Sequence, residues 1–304
     1  MNRWALWLVL LVPVAGVQAA PTKASELRSL RSQAVQALIL RADVDSLATA
    51  ALLSYKRPAT PSALELAGNA AEMAPQSAPL GWLHLQLCVQ SPGCGVKGVA
   101  TTLRWVDPDN GAAWLPILAA AYKERDWHEV DRVIVEMAAA PRFDLYWNRL
   151  VVLMAEALRK ARATLPPQYA TSDAERYELV SSLLGELIPG FSPLLDACRL
   201  APAASERHEE CVKLSRSMQR GDTFGAQIAG FGLARRMLPA DSRESKQLAE
   251  QRKLLETRIA KLERLDARAL QSGDNAWVRR RLAKMRALPR EEDVSMAILR
   301  ETHR

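Results

Sequence analysis

Apolar positions recur along this chain at helical spacing. Between Asn110 and Pro141, Trp114, Ile117, Leu118 and Ala121 share one helix face. Glu124-Arg125-Asp126 interrupts the pattern, and Val130, Val133, Ile134 and Met137 resume it on a second helix. The preceding segment, APLGWLHLQL from Ala78, aligns with NGAAWLPILAAAY from Asn110, so that Trp82 and Trp114 lie 32 residues apart. FDLYWNRLVVL, from Phe143, repeats the theme with Tyr146 and Trp147. A breaker marks the start of each segment: Pro79, Asp107-Pro108-Asp109-Asn110, and Pro141. Repeated helix pairs of this length predict an α-solenoid-like array of helical hairpins.

The pattern continues as helix beyond this array. Ser172-Asp173 predicts the start of a helix reaching about Leu187, stopped by Pro189-Gly190. Leu194 to Ala201 and Glu206 to Met218 predict two more, and Gly221-Asp222-Thr223 opens another. On that last helix Gly225, Ala229, Gly230 and Ala234 form a small face, suited to tight packing against a helix of the same chain or to a binding groove. Asp241 to Gln271 predicts one long charged helix with a narrow stripe of Leu248, Leu255, Ile259, Leu262 and Leu265. Two further helices follow, through about Ala287 and over Glu291 to Glu301. No alternating run bounded by turn residues stands out, so the fold class predicted is all-α, with additional C-terminal helices after the hairpins. Thr164-Leu165-Pro166-Pro167-Gln168 marks a boundary. The segments are then a leader over 1–19, a helical-hairpin region over 20–165, a helical region over 166–240, and charged helices over 241–304.

Composition agrees with a globular helical chain. Of 304 residues 49% are hydrophobic and 25% charged, while glycine (14) and aromatics (6%) are sparse. The amino terminus has the pattern of a secretory signal. Arg3 precedes the apolar stretch Trp4 to Val14, and Val17-Gln18-Ala19 offers small residues for a signal peptidase. Cleavage is expected after Ala19, because Pro21 would adjoin a cut after Ala20. An uncleaved anchor is disfavoured, since the stretch is shorter than the roughly 20 residues that cross a bilayer. The mature chain is therefore expected in the periplasm or secreted, without a transmembrane segment, and with its formal charge reduced from +7 to +6 by the loss of Arg3.

Export bears on Cys88, Cys94, Cys198 and Cys211. An even count in an oxidising compartment favours disulfides. Four cysteines allow three pairings, and closeness along the chain favours Cys88–Cys94 and Cys198–Cys211. Zinc sites and redox dithiols use tighter spacings than either pair has, although His208 stands near enough to Cys211 to share a metal with it and Cys198. His84, His128 and His303 fall in no metal-ligand pattern, and no cofactor is called for.

The stretch DPDNGAAWLPILAAAYKERDWHEVDRVIVEMAAAP resembles a tetratricopeptide repeat. Trp114, Tyr122, Asp126 and Trp127 fit that family's places. Leu118, Val130 and Pro116 depart from them, and Pro116 is expected to kink its helix. The resemblance covers about residues 78–141. It implies that Cys88 ends one helix of a hairpin, that Ser91-Pro92-Gly93 turns, and that Cys94 leads into the next. It also implies a protein- or peptide-binding groove within 60–165, with Trp82, Trp114, Tyr122 and Tyr146 as candidate binding residues; core packing is the competing account of all four.

Chemistry is sparse by comparison. No serine-hydrolase, zinc-protease, penicillin-binding or phosphate-loop motif is present. The enzymatic alternative is a peptidoglycan-acting protein of the lytic-transglycosylase type, whose glutamate precedes serine; Glu244-Ser245 matches that dipeptide alone. Residues 241–304 carry 16 Lys and Arg against 11 Asp and Glu, a net +5. Such a basic end suits an anionic membrane surface, an acidic partner or self-association. Arg279-Arg280-Arg281 lacks the stacking aromatics of a nucleic-acid site. The function expected is a protein–protein interaction scaffold or adaptor in the cell envelope.

Overall fold

The structure, a computed structural model, describes residues 23–57, 59–164, 172–239 and 241–302. The expected leader over 1–19 and its cut near Ala19, the Leu165 to Gln168 breaker and His303 lie outside them. The described residues form fifteen α-helices and no β-strand: α1 (Lys23–Arg41), α2 (Val44–Ser54), α3 (Ala63–Met73), α4 (Ala78–Val89), α5 (Val96–Val106), α6 (Leu115–Glu124), α7 (Trp127–Ala139), α8 (Trp147–Lys160), α9 (Asp173–Gly185), α10 (Ser192–Arg199), α11 (Glu206–Gln219), α12 (Phe224–Met237), α13 (Arg243–Gln271), α14 (Asn275–Ala287) and α15 (Glu291–Glu301). The fold is all-α. Among the described residues no helix is long and apolar enough to cross a membrane.

Local chemistry sets the ends of these helices. Ser62 with Glu65, and Ser172 with Glu175, form reciprocal capping boxes at α3 and α9. Asp43, Asp126, Ser205, Thr223, Ser242 and Asp274 each accept a backbone N–H at a helix start. Pro116 does not kink a helix. A 3-10 turn over Gly111–Trp114 precedes α6, and Pro116 sits in the first turn of α6, where its missing N–H removes no helical bond.

Helices α1 to α7 pack neighbour on neighbour. Beyond them the chain folds back. α8 rests on α2, α9 and α14, α7 on α11, α10 on α6, and α13 on α9, α12, α14 and α15. One hydrophobic core runs from Ala34 to Ile298 and includes the sulfur-bearing Cys198 and Cys211. Gly230 lets α11 and α12 close on each other, because a Cβ there would stand 2.6 Å from the Gln219 nitrogen. Within the small face of α12, Gly230 and Ala234 thus serve packing inside the chain. Leu248, Leu255, Leu262 and Ala269 of α13 are buried at seven-residue spacing. That stripe is consumed by the chain's own helices, and self-association through residues 241–304 would have to use another face.

Two polar knots tie distant loops together. Asn110 donates to the Asp144 carbonyl and the Tyr146 hydroxyl (both 2.9 Å) and accepts from the Ala112 and Asp144 N–H groups. The Tyr146 hydroxyl donates to Asp107, which also pairs with Arg142. In the second knot, Asp222 accepts the Leu145 N–H (2.7 Å) and the Trp147 N–H (3.2 Å). Its carbonyl takes the Glu291 N–H, while Glu291 accepts the Phe224 N–H at 2.7 Å. Burial pushes Asp222 up to about 8 and Glu291 up to about 7.

Candidate functional site

Helix α5 is a thin wall between two clefts. It buries only Ala100 and Leu103, and its first residue follows Gly95, which offers no side-chain cap. Its anchorage comes partly from sulfur. Cys88, fully buried at the end of α4, stands in a disulfide with Cys94, two residues before α5, with 5.4 Å between the Cα atoms. Cys198 and Cys211 form the second pair, linking α10 to α11.

On one side of α5 lies an apolar cleft of about 510 Å³. Small residues on three helices keep it open: Gly68 on α3, Gly81 on α4 and Gly98 on α5. A methyl group at Gly81 would already press on Leu103 at 3.2 Å. His84 lies half-buried against this cleft. Burial holds its imidazole below the usual range, and Glu72 pulls the other way.

On the other side lies a cleft of about 610 Å³ between α5, the loop at Pro108 and Asp109, and the end of α7. Trp114 forms part of its lining. The Arg104 guanidinium stacks 3.6 Å from the Trp114 ring centre, and Arg132 approaches the same ring at 5.2 Å. Arg132 is also held by Glu129 through two bonds of 2.7 Å. Burial, together with the neighbouring Arg132 charge, holds Arg104 below its ordinary range. Next to it, Trp105 projects 84% exposed into solvent at the cleft rim. Tryptophan is among the residue types enriched at the hot spots of protein interfaces.

Of the candidates named from sequence, Trp114 alone lines this cleft. Trp82 and Tyr146 are each 3% exposed and face each other in the core, their ring centres 6.1 Å apart. These two serve packing, and Tyr146 also serves the Asp107–Asn110 knot. Tyr122 is half-buried and meets Trp127 edge to face at 5.8 Å, lining neither α5 cleft. Trp105 and Arg104 escaped notice in the sequence. The available signal was Trp105's position on the face of α5 opposite Leu103.

Glu244 is exposed in the first turn of α13 and lines neither cleft. The run Arg279-Arg280-Arg281 is dispersed by the helix: Arg279 pairs with Asp173, Arg280 lies over Trp277, and Arg281 is buried, bonded to the Tyr177 hydroxyl and Asp266. Among the described residues no cluster of three or more His, Cys, Asp or Glu side chains is placed to hold a metal. No family model, curated protein or solved structure matches this chain.

Proposed function

We propose that this chain is an exported adaptor of the cell envelope, built on divergent tetratricopeptide-like hairpins, that holds a segment of a partner protein along α5. The observation carrying this reading is Trp105, a tryptophan 84% exposed on a helix whose two flanks are both open clefts. The partner segment lays an apolar or aromatic side chain on Trp105 and Trp114. It brings a carboxylate to Arg104, whose charge is penalised by burial and by Arg132 and only partly offset by Glu136 and Glu129. The paired cysteines are compatible with an oxidising location.

The test is a photoreactive amino acid placed at position 105 in cells. A single partner crosslinked from position 105 and from Thr101, but not from exposed Leu254 on α13, supports the reading. Equal crosslinking from positions 105 and 254, or none from 105, contradicts it.

A further inference from the structure

A third cleft, of about 250 Å³, opens where α8, α9 and α14 meet, away from the α5 surface. Among the described residues, four arginines and two acids supply its polar lining: Glu156 and Arg159 from α8, Asp173 and Arg176 from α9, and Arg279 and Arg286 from α14. Each carboxylate is shared. Asp173 takes Arg176 at 2.5 Å on one oxygen and Arg279 at 3.1 Å on the other. Glu156 pairs with Arg286 and lies 3.8 Å from Arg159. Four positive charges face two negative ones, which leaves the cleft at +2.

The four cations are not equally placed. Arg176 is sunk, its side chain 6% exposed, while Arg159, Arg279 and Arg286 are each more than half exposed around it. The surplus is concentrated in a concave, partly desolvated space, where like charges focus the field. The guanidinium group presents its N–H donors in a planar fork matched to oxyanions. The cleft is smaller than the roughly 300–1,000 Å³ of sites for drug-sized ligands, so it suits a compact group.

We propose that this cleft binds a phosphate monoester or inorganic phosphate, whose charge of about −2 matches the cleft's surplus. Arg279 and Arg286 reach the phosphoryl oxygens from the rim, and Arg176 supplies the fixed charge beneath. The phosphate belongs either to a free small molecule or to an anionic lipid headgroup.

Calorimetric titration of the full chain with inorganic phosphate at low salt, and flotation with phosphatidylcholine vesicles with or without phosphatidic acid, test the proposal. Saturable binding is expected in at least one arm. Phosphate alone points to the free source, and phosphatidic acid vesicles alone point to the lipid. Arg279→Gln and Arg286→Gln should each weaken binding about tenfold. Arg279→Lys, which keeps the charge but loses the fork, should weaken it too. Arg280→Gln, at an exposed arginine over Trp277 outside the cleft, should change nothing. All variants should keep the wild-type far-ultraviolet circular dichroism. No saturable binding in either arm, equal loss in Arg280→Gln, or binding of succinate as tight as phosphate would overturn the proposal.

Discussion

Removing one disulfide should loosen one helix rather than the whole molecule. The perturbation is Cys88→Ala with Cys94→Ala. The bridge closes a loop with a sequence separation of 6, and chain entropy assigns such a closure about 2 kcal/mol. The helix it steadies is poorly anchored otherwise. Leu103 and Ala100 are the side chains α5 buries, and burying a leucine contributes about 1.5–3 kcal/mol. The staple and the packing are therefore of similar size, and losing either opens α5 by local fraying. Native-state hydrogen exchange is the appropriate assay. Amides of α5 should exchange about 10- to 40-fold faster in the double variant, while those of α11 and α12 keep their protection. Thermal unfolding should fall by no more than about 4–9 °C. The counterpart Cys198→Ala with Cys211→Ala, whose separation is 13 and whose cysteines are both in the core, should lower stability globally by about 3 kcal/mol. Wild-type exchange rates along α5 in the first variant would show that the bridge does not steady this helix, and equal acceleration in α11 and α12 would show that its effect is global.

Three further outcomes are expected. Gly230→Ala places a Cβ 2.6 Å from the Gln219 nitrogen and 2.8 Å from the Met218 Cβ; the overpacking should cost about 1–3 kcal/mol in urea denaturation despite alanine's better helix propensity, and a more stable variant would contradict the packing described. Tyr146→Phe removes the hydroxyl between Asp107 and Asn110 and should cost about 1–3 kcal/mol, measured the same way; an unchanged midpoint would mean that the knot adds no stability. Asp222 and Glu291, with folded values of about 8 and about 7, hold protons that unfolded carboxyls near 3.8 and 4.5 release first. Their contribution is full below about pH 4 and is lost as pH rises through 7 and 8, so the melting temperature near pH 8.5 should lie below that near pH 5.5. Glu291→Gln keeps an acceptor for the Phe224 N–H and should narrow that gap; equal melting temperatures in the wild type would contradict neutral burial.

Helices were legible because their signals are local. Ser172 caps α9 through its own N3 residue, and the apolar spacing of α7 needs no partner to be seen. The same locality hides long-range partners. Pro116 reads as internal in the sequence because the 3-10 turn over Gly111–Trp114 has no distinct periodicity. Tyr146 fits a groove or a core equally from its local sequence, because its partners, Asp107 and Asn110, lie 39 and 36 positions away. Asp222, whose acceptor role reaches back 77 positions to Leu145, resembled any loop aspartate. The fold-back of α8 on α14 and of α7 on α11 is likewise a long-range outcome that no hairpin spacing encodes. Trp105 was visible in principle: a tryptophan opposite the buried stripe of a short helix cannot serve that helix's core.

Whether α5 and its flanking clefts receive a polypeptide segment is decided by the binding of selected peptides. Peptides chosen from a displayed random library against the oxidised protein should bind wild type saturably. They should lose about 30-fold in affinity with Trp105→Ala, the effect of removing one aromatic anchor worth about 2 kcal/mol. That variant should melt like wild type, since the side chain is 84% exposed. Selected peptides that bind Trp105→Ala as tightly as wild type, or a library that yields none, would contradict the account.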